Sequence, residues 1–190
     1  FDIAVQNLFE GTRPRLDYST LLPGIVTSIK NVDYLKTFIF APATDPFLLQ
    51  VPRWNSYYNW LQGFKNSWYI DVIEGRLLSH PRSREITMDP NDWNTYYKEE
   101  KGTDVNLAAN LLIKAYNNSY DIAFVLSADS DYIHVYQTLK TMGKLIVLVT
   151  VEGQTTKITA PETDHQIVLS KRILESYIRE DLKFEIPNHI

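Results

Sequence analysis

The sequence contains no cysteine. That excludes disulfides and thiolate zinc sites and fits a reducing, cytoplasmic setting. No apolar run approaches the roughly 20 residues needed to span a bilayer, so a membrane is not an expected partner. The opening stretch Phe1–Gly11 lacks a basic segment and reads as a strand rather than a signal peptide; the chain begins abruptly inside that expected strand. There is no glycine-rich phosphate loop, no Ser/His/Asp arrangement, no internal repeat and no low-complexity tract. The four histidines, His80, His134, His165 and His189, have no metal-ligand spacing. Excess positive charge is also missing. A formal net charge of −4 argues against a generally basic, nucleic-acid-coating protein, although a cleft that binds metal ions supplies positive charge of its own.

What is present is a chain of 190 residues with 44% hydrophobic and 22% charged residues, the profile of a globular fold large enough to bury a core. We expect one domain over residues 1–190. Its second half is the more regular. Asp104–Asn118 carries Leu107, Ala108, Leu111, Leu112 and Ala115 on one helical face, with Thr103 or Asp104 as cap. Asp121–Ser127 reads as a buried strand, Asp131–Gly143 as an amphipathic helix stopped by Gly143, and Lys144–Val151 as a second buried strand. Strand, helix and strand with short connections form a βαβ unit with a parallel sheet. His165–Ile178 predicts a further strand and a helix starting near Ser170. Earlier, Tyr34–Phe40 and Trp68–Leu78 read as strands and Arg53–Phe64 as a helix, while Ser79–Gly102 reads as a long polar loop. The expected class is α/β, with a central, mostly parallel sheet and helices on both faces.

In open parallel sheets, ligands sit beyond the carboxyl ends of the strands. Asp129 and Asp131 follow the strand ending at Ser127 and fall at that edge. The helix beginning near Asp104 precedes the same strand, so its N-terminus belongs there too. Asn7, after the first expected strand, reaches the same edge if that strand is parallel. Crowded carboxylates repel and raise one another's pKa, and a divalent cation relieves this. Mg2+ and Mn2+ take oxygen ligands and bridge to phosphates, which points to phosphodiester chemistry. The plainer alternative is that Asp104 and one of the Asp129/Asp131 pair only cap helices.

These residues carry a resemblance. Glu100–Tyr116 followed by Tyr120–Val149, with Lys101-Gly102-x-Asp104 and Ser127-Ala128-Asp129-Ser130-Asp131-Tyr132, resembles the NYN ribonuclease domains of the PIN-like superfamily. Ile3–Gly11 resembles their first strand and Thr163–Ser170 their late segment; the resemblance is weakest over about residues 30–95. It implies a three-layer PIN-like fold and a metal-dependent endoribonuclease that leaves 5′-phosphate ends. Asp104, Asp129 and Asp131 would be the metal-binding acids, with Mg2+ or Mn2+ as cofactor and RNA as partner. Asn7 would organise the first strand end, and Ser127 would hydrogen-bond a carboxylate or phosphate.

The sequence departs from that pattern at Ala4, where an aspartate is expected. In a strand Asp2 would share its face but lie two residues deeper, roughly 6–7 Å away. Asn110 stands where another acid is frequent, Ala128 replaces a glycine and His134 a frequent proline. Ala4 has two readings: a natural, degenerate nuclease that binds RNA or a protein, or an engineered inactivation. The intact remainder of the acid set favours the second. A catalytically silent RNA-binding or protein-interaction module is therefore the alternative function. An Asp-x-Asp phosphatase or glycosyltransferase explains neither Asn7 nor Lys101-Gly102-x-Asp104.

Outside the acids, Arg82, Arg84 and Lys101 are candidates to meet phosphates, against the alternative of a solvated loop. Trp54, Tyr57, Tyr58 and Trp60 have the spacing of a packed helix face more than of a base-stacking surface. Trp93, Tyr96 and Tyr97 would anchor the polar loop as a lid. A homo-oligomer or a protein partner is compatible with the sequence.

Overall fold

The computed structural model describes residues 1–12 and 14–179, with the backbone alone at Asp2 and Arg53. His189 and the end of the expected 1–190 domain lie outside these residues. The fold is mixed α/β, as expected. Among the described residues the strands hydrogen-bond as two three-stranded sheets rather than one, and these residues gather into two compact units, residues 1–35 with 108–179 and residues 36–107.

In the first unit, β4 (Ile122–Val125), β5 (Leu145–Val151) and β6 (His165–Leu169) form an all-parallel sheet with β5 central. The labels follow chain order, with β1–β3 in the other unit. β5 is a run of β-branched and leucine residues, buried at every position after Leu145, as a strand covered on both faces requires. Val147, Val149 and Val151 join a core with helices α1 (Asp2–Leu8), α2 (Tyr18–Thr27) and α6 (Lys171–Glu175) through Val5, Leu21, Leu22, Ile25 and Leu174. The alternate residues Ile146 and Leu148 are also buried, and α5 (Ile133–Thr141) packs on β5 with Tyr136 and Leu139 buried. The βαβ expectation is met, down to Gly143 at φ +74° past α5 and Ser170 capping α6.

One expectation is corrected. Phe1–Val5 is not a strand: Asp2–Val5 belongs to α1, with Phe1 at its N-cap. Its alternation concealed a helical stripe: Phe1, Ala4, Val5 and Leu8 all pack on the core, the i, i+3, i+4, i+7 spacing of one helix face. Ile3, which a strand would have shared with Val5, is 64% exposed. The strand-face argument linking Asp2 to Ala4 falls with it. Helix α2 had no counterpart in the sequence reading. Asp17 caps it by accepting the Ser19 N–H at 3.1 Å.

The second unit contains β1 (Thr37–Ala43), β2 (Ile70–Pro81) and β3 (Tyr96–Lys101) in that order, β1 and β2 parallel, β2 and β3 antiparallel. Helix α3 (Pro52–Phe64) buries Trp54, Tyr57 and Leu61 against Leu77 and Tyr96. These α3 aromatics are core residues, with Trp60 packed beside them. The expected loop Ser79–Gly102 is mostly a hairpin: β2 continues to Pro81, the chain turns, and Tyr96–Lys101 returns as β3. Asp89 and Asp92 order the turn by accepting the Asn91 and Asn94 N–H groups at 2.9 and 3.0 Å. Helix α4 (Thr103–Tyr116) begins in this unit and continues into the first.

Candidate active site

The chain leaves β4 at Val125 and reaches α5 through one 3₁₀ turn, Ser130–Tyr132. Asp129 is the cap of that turn. Its Oδ1 accepts the Asp131 N–H at 3.0 Å, while its own N–H donates to Ser127 Oγ at 3.3 Å. A side chain that caps a turn is held in one orientation, so capping and site roles do not compete here. Asp129 and Asp131 are both exposed, at the carboxyl end of a parallel strand where ligands collect.

Below the pair lies Tyr136, fully buried, its hydroxyl without a hydrogen-bond partner. Burial raises its pKa strongly, and the Asp129 charge adds to the effect. The phenol is therefore a neutral neighbour of the acids at any working pH.

Ala4 and Asn7, one turn apart on α1, line an open depression of about 510 Å³ with Phe1, Leu8, Glu152 and Gln154. Glu152 and Gln154 belong to the turn that leaves β5, so this depression opens at the carboxyl edge that also carries Asp129. The sequence reading missed Glu152. It is a carboxylate on that edge, accepting the Lys171 N–H at 3.4 Å. The signal for it was the Glu152-Gly153 pair ending a buried strand, with Gly153 at φ +86°.

Asp104 stands exposed in the first turn of α4, where the helix dipole favours a negative charge. Gly75 of β2 lets this helix start approach closely: a Cβ there would lie 2.9 Å from the Lys101 carbonyl oxygen and 3.1 Å from the Thr103 nitrogen. Gly102, at φ +85°, makes the turn between β3 and α4. Lys101 is exposed and pairs with Glu99 at 2.9 Å, and Lys101 is the chief cause of the lowered Glu99 pKa. Arg82 and Arg84 are exposed beyond the end of β2.

Among the described residues no three His, Asp or Glu side chains gather to hold a metal ion. Mg2+ needs less than such a cage, since it keeps several waters and binds through one or two carboxylates. The adjacent, exposed Asp129 and Asp131 fit that requirement.

The NYN domain pattern matches residues 10–170 of this sequence. The chain belongs to the NYN domain family. NYN domains are part of the PIN-like superfamily of nucleases, are generally ribonuclease-like and typically use divalent metals. The match includes Asp104, Asp129 and Asp131 but begins after Ala4 and Asn7. A crystal structure of a Vibrio parahaemolyticus protein of unknown function is similar in fold, with a TM-score of 0.54 over 88% of this chain and 87% of that one at 14% identity. No curated protein matches the sequence. Among the described residues no helix is long and apolar enough to cross a membrane.

Proposed function

We propose that this NYN domain, taken as a single domain over residues 1–190, is a metal-dependent endoribonuclease of the cytoplasm that hydrolyses RNA phosphodiester bonds. The observation that carries the reading is the Asp129-Ser130-Asp131 turn at the carboxyl end of a parallel strand, within a chain of a nuclease family. Asp129, Asp131 and Asp104 would hold Mg2+ or Mn2+. Such an ion activates water and stabilises the leaving oxygen in phosphodiester cleavage. The protein's own part is to fix the carboxylates: Ser127 and the Asp131 N–H hold Asp129 in place, and Gly75 seats the helix start that bears Asp104. Lys101, Arg82 and Arg84 would meet phosphates, with Asn7 and Ser127 near the reacting strand. Ala4, beside Asn7 and Glu152, occupies the position where a further carboxylate is expected, so this sequence would be a disabled form of the enzyme.

A second reading, a silent RNA-binding or protein-interaction module, is favoured by Ala4 itself, whose side chain packs toward the core. A cleavage assay on labelled single-stranded RNA with Mn2+, Mg2+ or EDTA separates the two. The protein is run beside Ala4→Asp and beside Ala4→Asp combined with Asp129→Ala. We expect Ala4→Asp alone to cut, and only with metal. Folded variants that all fail to cut would put the binding module ahead.

A further inference from the structure

The β2–β3 hairpin extends past β1: β1 pairs with Ile70–Arg76, whereas β3 pairs with Arg76–Pro81. Alternation sorts this ribbon into two faces. Leu77 and Tyr96 point into the core with α3, and Lys98 lies over the Trp54 ring at 4.2 Å. The opposite face carries Arg76, Leu78 and His80 on β2, directly across from Lys101, Glu99 and Tyr97 on β3. Leu78 is 37% and Tyr97 48% exposed. The His80 and Tyr97 rings are stacked, 5.3 Å between centroids and 26° between planes.

Charge on this face is arranged, not mixed at random. Among the residues paired between β2 and β3, Glu99 is its only acid; it is matched by Lys101 at 2.9 Å and lies 3.1 Å from His80 Nε2. Glu74, two residues before Arg76 on β2, is itself held by Lys65 at 3.2 Å and by Gln62 at 2.8 Å. Arg76 and Lys101 mark one end of the face, and exposed Arg82 and Arg84 continue from the other. Glu100 belongs to the other face by alternation, and Glu85 lies further along the turn. From Arg76 to Arg82 the strand advances about 20 Å. Cations at both ends of an exposed aromatic pair suit a flexible polyanion with accessible ring faces. That describes single-stranded RNA, whose unstacked bases lie on aromatic rings while phosphates meet cations. A duplex hides those ring faces.

We propose that the outer face of the β2–β3 ribbon binds single-stranded RNA, bases stacking on the Tyr97–His80 pair and phosphates meeting Arg76, Lys101, Arg82 and Arg84. This rests on the RNA reading above and names where and in what form the RNA is held.

The test is fluorescence anisotropy with the full chain and a labelled oligouridine of about twelve nucleotides, in EDTA so that cleavage cannot interfere. A duplex of equal length runs beside it. Tyr97→Ala weakens single-strand binding at least about fivefold, and Tyr97→Phe, which keeps the ring, binds within about twofold of the parent. Arg76→Ala with Arg82→Ala reduces the slope of log affinity against log salt by about 1.4, roughly 0.7 for each phosphate that is no longer neutralised. Arg172→Ala, an exposed charge on α6, leaves that slope unchanged. If the parent binds the oligonucleotide but Tyr97→Ala and the double arginine variant bind as well as it does, the ribbon proposal is wrong and the RNA reading stands. Equal affinity for the duplex also overturns it. If the parent binds no RNA at all, both fall.

Discussion

Replacing Asp129 by asparagine and by alanine separates two roles carried by one side chain. Its Oδ1 accepts the Asp131 N–H at 3.0 Å and so caps the turn into α5. Asparagine and aspartate are equivalent caps, whereas alanine typically costs 0.5–2 kcal/mol. The freed N–H is exposed to water here, which puts the alanine cost near the low end, about 0.5–1 kcal/mol. For a chain of this size that lowers Tm by about 1–4 °C, measurable by calorimetry, while Asp129→Asn melts with the parent. The charge tells a different story. In the Ala4→Asp background both substitutions remove one of two adjacent carboxylates. Losing a residue that merely orients a metal ligand costs about 10–100-fold, so losing the ligand itself exceeds that. A third readout comes from Tyr136, whose pKa burial raises and the Asp129 charge raises further; it falls in both variants. Destabilisation of Asp129→Asn equal to that of alanine would refute the cap geometry. Full metal-dependent cleavage by Asp129→Asn would reduce Asp129 to a cap and nothing more.

Gly75→Ala pushes a methyl into the Lys101 carbonyl and the Thr103 nitrogen, backbone that cannot swing aside. A loss of about 1–3 kcal/mol is expected, read as a lower denaturation midpoint, together with loss of activity in the Ala4→Asp enzyme because the Asp104 helix start must move. The Tyr120 hydroxyl donates to the Leu111 carbonyl at 2.9 Å, and burial raises its pKa to about 12. An unfolded tyrosine ionises near 10, so between about pH 10 and 12 the unfolded chain binds fewer protons than the native one and stability falls as pH rises. Absorbance titration should show Tyr120 ionising late, and in the native range Tyr120→Phe should weaken this alkaline loss.

How far the fold was legible depended on whether pattern and punctuation agreed. From Thr103 to Glu175 they did: the helical stripes of α4 and α5 ran out at Asn118 and Gly143, both at positive φ, strands were short and β-branched, and connections were brief, so the elements fell where the sequence put them. Where punctuation contradicted the element, reading failed. Pro23 and Gly24 sit inside α2 and look like a turn; Leu21, Leu22 and Ile25 hold the helix regardless by burial. Within Tyr96–Lys101 the last four residues are Lys and Glu with low strand preference, yet the segment pairs with β2 because Tyr96 is anchored in the core. At the N-terminus, seven residues fit period 2 and period 3.6 alike, and only the packing of Ala4 and Leu8 decides for the helix.

The site divides along the same line. Asp129 and Asp131 were legible because their position follows from one local rule, a parallel strand ending in a capped turn. Glu152 and the ribbon face were not, because each depends on which neighbour a chain segment meets. Glu152 matters only through α1 lying against the turn after β5, and α1 was read as a strand. Tyr97 and His80 are seventeen positions apart and become a ring pair only in the register that sets His80 opposite Tyr97. A one-residue slip would bury Tyr97 and expose Tyr96. That register is fixed from the other face, by the fit of Leu77 and Tyr96 around α3. The proposed RNA surface is thus a consequence of core packing, and core substitutions that loosen Tyr96 should weaken RNA binding without touching a residue that faces it.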